Sequence, residues 1–240
     1  MENWPINFDE LSKHFDEVSK LLNVSGEKDD LNDFFDFHNY EQYKHKLSSQ
    51  SHQLLENLNL NKENLRKKGI YFGRSKLAIN NSKNGYLDCV KCGLCFHGCP
   101  HDLIYSTSDL FDSFIKNHKI KYIPNIKVNS FDEAMDEVIV STKNLKSNKI
   151  EEFRGKYLFL GSGSISSTKI LMNTLKIKND ISLSCKDQYV APIYLKFKSK
   201  LDYMQKYNTL SEIFIEVKDK EVCEKNVHIQ IYPFSDIVLS

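Results

Sequence analysis

The 240-residue sequence predicts a mixed α/β chain of the α+β kind with a β-rich tail. Three observations carry that expectation. Apolar residues recur at helical spacing in Leu11, Phe15, Val18 and Leu22, and again in Leu110, Phe111, Phe114 and Ile115. Short stretches with strand character fill residues 121–142 and the last sixty residues. Between them, Tyr157-Leu-Phe-Leu160 is an apolar run of buried-strand length that passes straight into Gly161-Ser-Gly163-Ser and a helix.

Taken in order, Trp4-Pro5-Ile6 leads into the first helix. Asn7 is placed to cap it and Glu10 sits three residues on, as a capping box requires; the helix should stop near Asn23, with Gly26 beyond. Residues 27–48 are polar with scattered aromatics and read as loop or short helix. A second helix is expected from about His52 to Leu58, followed by the charged stretch Asn61–Lys68. There Lys62, Arg66, Lys67 and Lys68 mix with Glu63, the pattern of a solvated face rather than a nucleic-acid patch. Ile70-Tyr71-Phe72 reads as a strand and Arg74–Ile79 as another. Ser108 can cap the helix over Leu110–Ile115. Lys121–Ile123, Lys127–Phe131 and Glu137–Thr142 read as short strands, with a turn around Lys146–Asn148. A helix from Ser166 to Leu175 follows the glycine turn, and Ala191–Phe197, Glu212–Val217 and Val227–Tyr232 are the strand candidates of the tail.

Lys plus Arg number 33 against 32 Asp plus Glu, a net charge of +1, so no global field points to nucleic acid or a membrane surface. No apolar run is long enough to span a bilayer. Met1-Glu-Asn-Trp-Pro carries an acid and a proline where a signal peptide has its basic segment, so a cytoplasmic setting is expected.

The strongest chemical signal is Cys89-Val-Lys-Cys92-Gly-Leu-Cys95-Phe-His-Gly-Cys99-Pro100. Its spacing, C-x2-C-x2-C-x3-C-P, is the bacterial run that holds an iron–sulfur cluster through thiolates. Gly93 and Gly98 permit backbone angles closed to other residues, so amide groups can turn toward the sulfurs, and Pro100 fixes the exit. Two rival readings exist. Structural zinc usually takes its four ligands from two separated pairs, which one compact run fits poorly. Disulfides between such near neighbours would be strained. His97 and His101 flank the run and read as loop residues before ligands or proton relays. Cys185 and Cys223 are isolated and read as free, partly buried thiols, and His228 as a surface or packed residue.

A second signal is the expected strand followed by Gly161-Ser162-Gly163 and a helix, which brings backbone N–H groups and a helix N-terminus up to a phosphate. A full G-x-G-x-x-G would have glycine where Ser166 stands. The same residues equally describe a tight turn joining a buried strand to its covering helix.

Three stretches, in order, resemble the glucose–methanol–choline (GMC) flavoprotein oxidoreductases. Trp4-Pro5-Ile6-Asn-Phe-Asp-Glu-Leu11, running to Leu22-Asn-Val-Ser-Gly26, resembles the segment leading into the substrate-side helices of bacterial members. Cys95-Phe-His-Gly98-Cys99-Pro100 with Tyr105-Ser-Thr107 resembles the family's Gly-Cys loop, where some sugar dehydrogenases carry an iron–sulfur cluster. Ile123-Pro-Asn-Ile-Lys-Val128, then Tyr157-Leu-Phe-Leu160-Gly-Ser-Gly163-Ser to Leu171, resembles the adenine-side strand and its small-residue turn, with Gly161 and Ser162 in place of the usual two alanines.

The resemblance covers about residues 3–175 and implies a partial FAD-binding domain with the start of a β-rich substrate domain. The implied divisions are a helical and loop segment over 1–88, a cluster loop over 89–107, part of the FAD-binding domain over 108–180 and the substrate domain from 181 to 240. It further implies that Val128 holds the FAD adenine through its backbone and that Gly161, Ser162, Gly163 and Ser164 approach the nucleotide's phosphate or ribose. Cys89, Cys92, Cys95 and Cys99 would ligate a [3Fe–4S] or [4Fe–4S] cluster. The activity implied is dehydrogenation of a CH–OH group in an alcohol or sugar, with electrons leaving through the cluster to an acceptor protein. The family's pyrophosphate-binding G-x-G-x-x-G has no counterpart before residue 89, and its catalytic His would fall beyond Ser240. The chain therefore reads as a middle segment of such an enzyme, or as the product of a split gene. The alternatives are a non-enzymatic iron–sulfur electron-transfer module and a structural zinc domain.

Overall fold

The computed structural model describes residues 5–22, 24–35, 46–79, 89–183, 208–221 and 223–233. The chain is a mixed α/β protein with five α-helices and three small antiparallel sheets among the described residues. It divides into two compact units, one built from residues 1–108 and 195–240, the other from 109–194.

In the first unit, α1 (Phe8–Leu22) starts where the sequence places it. Asn7 Oδ1 accepts from the Glu10 N–H at 2.9 Å while Glu10 Oε2 accepts from the Asn7 N–H at 3.2 Å, the reciprocal pair that satisfies the donors of a helix end. The short strand β1 (Val24–Ser25) follows, then a 3-10 turn over Asp30–Asp33 in the stretch expected to be loop or short helix. Helices α2 (Ser49–Leu60) and α3 (Lys62–Lys67) come next. Strands β2 (Ile70–Arg74) and β3 (Leu77–Ala78) complete the run before the cysteines, and β3 pairs with β1.

Gly69, between α3 and β2, adopts φ +73°, and a Cβ there would overlap the Lys218 carbonyl oxygen, so glycine is required twice over. Two tail strands, β7 (Ile213–Val217) and β8 (Val227–Ile231), lie in the stretches where alternation predicts them; residues 191–197 fall outside the described residues. Strand β7 pairs with β2 on one side and β8 on the other, so residues the sequence divides at 88/89 and 180/181 share one sheet.

This unit buries Leu31, Phe72, Ile79, Leu103 and Ile213, yet more polar residues than apolar ones are interior among the described residues, including Ser48, Ser51, Thr209, Glu212 and Glu216. They are tolerated because they are paired. Glu212 accepts from both the N–H and the hydroxyl of Ser48, the latter at 2.6 Å, while Ser48 Oγ caps α2 by accepting from the Ser51 N–H. Asp29 accepts from the Leu31 and Arg74 N–H groups and from Lys76 Nζ.

Asp30 forms a fork with Arg66 at 2.8 and 3.1 Å and pairs with Lys62 at 2.8 Å. Burial opposes its ionisation, but the hydrogen bonds and charges of Lys62 and Arg66 outweigh that and hold the carboxyl below its ordinary 3.8. A carboxylate depressed on folding contributes stability that is fully present above its unfolded value and is lost as pH falls through the folded one. Asp30→Asn should therefore lower stability at pH 7 and flatten the loss of stability below about pH 4. Urea unfolding of both proteins at pH 7 and pH 3 reads this; an equal stability difference at the two pH values would refute it.

The second unit holds most of α4 (Thr107–Lys116), which begins one residue before the expected Ser108 cap. A meander of β4 (Ile126–Glu133), β5 (Val138–Asn144) and β6 (Ile150–Gly155) follows, then α5 (Gly163–Thr174) packed on β4. The expected turn at Lys146–Asn148 joins β5 to β6, with Asn148 at φ +57°. Strand β6 goes unread in the sequence because its glutamates and arginine give it no apolar face.

Two expectations are corrected here. Lys121–Ile123 is exposed and not a strand. Tyr157–Leu160 has no regular secondary structure and is neither buried nor paired in a described sheet: Tyr157 is 73% and Phe159 91% exposed. An apolar run signals burial only where a partner surface meets it, and the neighbouring sheet already ends at β6. No helix among the described residues is long and apolar enough to cross a membrane.

Candidate cysteine site

The cysteine loop belongs to the first unit and has little regular structure beyond a 3-10 turn over Cys95–His97. Its path is set by residues in left-handed conformations: Lys91 at φ +56°, Gly93 at +75° and Gly98 at +94°. A Cβ on Gly93 or Gly98 would meet nothing within 4 Å, so conformation rather than crowding requires glycine at both. The loop is anchored at its exit, where Ile79 and Ile104 form a bridge and the Tyr105 N–H donates to the Ala78 carbonyl at 2.9 Å.

Cys89, Cys92, Cys95 and Cys99 are free thiols, and all four line one cavity. Its walls are apolar, from Ile79, Leu103, Ile104 and Leu210, with His101 and Asn208 at the edge. His97 is exposed and does not line it. Two main-chain amides address the sulfurs. The Thr209 N–H donates to Cys95 Sγ at 3.5 Å, and the Lys91 N–H bonds Cys89. Burial pushes the Cys89 thiol up, against the Lys91 bond, and the three neighbouring cysteines push in the same direction as burial. Among the described residues no three His, Cys, Asp or Glu side chains are arranged to hold a single metal ion.

The donor set nonetheless fits an iron–sulfur cluster: soft sulfur ligands, a dry wall and N–H donors to the sulfurs. The cavity is narrow, about 20 Å³, so seating a cube would spread the four thiols. An exposed loop with unobstructed glycines permits that.

The residues expected to touch FAD belong to the second unit. Val128 lies in β4 beside a register break between Val128 and Ser130. That break meets the C-terminal end of α5, where Asn173 Nδ2 donates to the Asn129 carbonyl and the Phe131 N–H to Thr174 Oγ1. Gly161, Ser162, Gly163 and Ser164 sit at the opposite, exposed end of α5. Gly163 and Asn173 are about 15 Å apart along a helix rising 1.5 Å per residue. Gly163 adopts φ +80° and Ser162 makes no side-chain cap, so the first amides of α5 face outward.

Two side readings also resolve. His228 Nδ1 donates to the buried Glu216 carboxylate, with the Phe214 ring edge-on at 4.8 Å; the residue itself is exposed, in line with the expected surface or packed position. Cys223 is free but exposed, because the turn carrying it lies outside the sheet; Cys185 is outside the described residues. Sequence reasoning missed Asn208, Thr209 and Leu210. No family model, curated protein or solved structure matches the chain.

Proposed function

We propose that Cys89, Cys92, Cys95 and Cys99 hold an iron–sulfur cluster, and that the chain is a segment of a GMC-type FAD-dependent dehydrogenase acting on the CH–OH group of an alcohol or sugar. The observation that carries the cluster is the convergence of all four thiols on one apolar-walled cavity, with amides directed at Cys89 and Cys95. When bound, the cluster supplies a one-electron exit for reducing equivalents. The chain's own residues exclude water through Ile79, Leu103, Ile104 and Leu210 and stabilise thiolate charge through the two amides.

The flavin half rests on the resemblance and on the uncapped start of α5, whose outward amides suit a phosphate or ribose at Gly161–Ser164. Val128 would offer its backbone to the adenine. The chain's residues supply binding and orientation; the proton-abstracting His of the resemblance has no counterpart among them.

Anaerobic purification of the full chain, followed by analysis for iron, acid-labile sulfide, zinc and flavin, tests the reading. Iron and sulfide in near-equal amounts support the cluster; zinc without iron replaces it with a structural metal site. Co-expression with any flanking sequence then decides the flavin. A folded, cluster-loaded and flavin-free product would leave an electron-transfer module in place of the dehydrogenase.

A further inference from the structure

We propose that Thr209, through its main-chain amide, is a positioning residue that sets the reduction potential of the group held at the cysteine loop; this rests on the cluster reading above. Thr209 lies far along the chain from the four cysteines, just before β7, and is only 3% exposed. It grips the loop at two points on either side of Leu94. Its N–H donates to Cys95 Sγ at 3.5 Å, and its Oγ1 donates to the Gly93 carbonyl at 3.4 Å.

The residues around Thr209 keep that amide in place. Asn208 Oδ1 accepts from the Leu210 N–H at 3.0 Å and shapes the turn. Ser211 Oγ lies 3.1 Å from Ser75 Oγ, and the Glu212 N–H donates to the Ile231 carbonyl at 2.9 Å. Asn208 and Leu210 line the same cavity as the thiols, so this short segment forms part of the cavity wall.

An N–H dipole aimed at a thiolate stabilises negative charge on the sulfur. A reduced cluster carries one more negative charge than an oxidised one, so the same amide favours reduction and raises the potential. Any residue but proline could supply it, because the donor is main chain.

The test uses the full chain grown with 15N-threonine and loaded anaerobically with ferrous iron and sulfide. The sequence has only five threonines, Thr107, Thr142, Thr168, Thr174 and Thr209, and among these described residues the hydrogen bond to a cysteine sulfur belongs to Thr209. Pulsed electron paramagnetic resonance of the paramagnetic cluster should show one 15N coupling. Thr209→Ala keeps the amide but loses the label, so the coupling should vanish in the loaded variant. Thr209→Pro removes the donor and should shift the midpoint to a more negative value with iron retained.

A loaded protein without the coupling, or a coupling that persists in Thr209→Ala, overturns the role of Thr209 and leaves the cluster standing. A wild-type chain that takes up no iron overturns the cluster reading itself, and iron content reports that before any coupling is measured. If Thr209→Pro does not fold, the labelling comparison decides alone.

Discussion

Cys95→Ser is expected to reduce iron and sulfide per chain at least about tenfold, since losing even an outer partner of a metal ligand typically costs 10–100-fold. A serine hydroxyl is harder and far less acidic than a thiol, so it makes a poor ligand for a soft iron–sulfur core. Cys95 is also the sulfur that Thr209 addresses, and it sits in the 3-10 turn at the middle of the run. Serine at Cys89 or Cys92 should act alike. Cys99 separates the two cluster types. If it closes a four-iron cube, Cys99→Ser should leave a three-iron signal; if the native cluster is [3Fe–4S], Cys99→Ser should change little. Cys223→Ser supplies the control, because that thiol is exposed and away from the cavity. Equal iron loss in Cys223→Ser and Cys95→Ser would remove the case for a site at this loop.

The second large effect concerns stability. Glu212→Ala should destabilise the protein by about 3 kcal/mol, because it leaves the Ser48 N–H and hydroxyl, 1% exposed, without their acceptor. For a chain of this size that corresponds to a fall in Tm of roughly 6–12 °C. Ser48→Ala should also be costly, since it strips the cap from α2 and leaves a buried carboxylate with one donor fewer. The two losses should not add: a double-mutant cycle is expected to give a coupling of about 1–3 kcal/mol. Additivity within 0.5 kcal/mol would mean that the contact contributes little.

How far the sequence discloses this protein depends on whether the signal lies in side chains. Helix α1 is readable because Asn7 and Glu10 announce its start and its apolar residues keep the helical period. Strands β7 and β8 are readable from alternation, and the four cysteines from their spacing. Strand β6 is hidden because most of its residues are charged, and Tyr157–Leu160 misleads because Tyr157 and Phe159 stay exposed and no described strand pairs with the run. Thr209 is silent for a different reason. Its contact to Cys95 runs through the amide, which every residue but proline possesses, so no residue type marks it. The interior glutamates are unreadable in the same way: Glu212 and Glu216 look like solvent-facing acids until Ser48 and His228 are seen opposite them.

The wall formed by Asn208–Leu210 also carries a temporal consequence. During synthesis the four thiols leave the ribosome well before Thr209 exists, and the 110 residues between Cys99 and Thr209 take roughly 5–20 s to add at ordinary elongation rates. For that interval the nascent loop is open on the side that Leu210 later covers. If the loop takes up the proposed cluster, its loading and the oxidation of free thiols would compete on the unfinished chain, before Leu210 is in place.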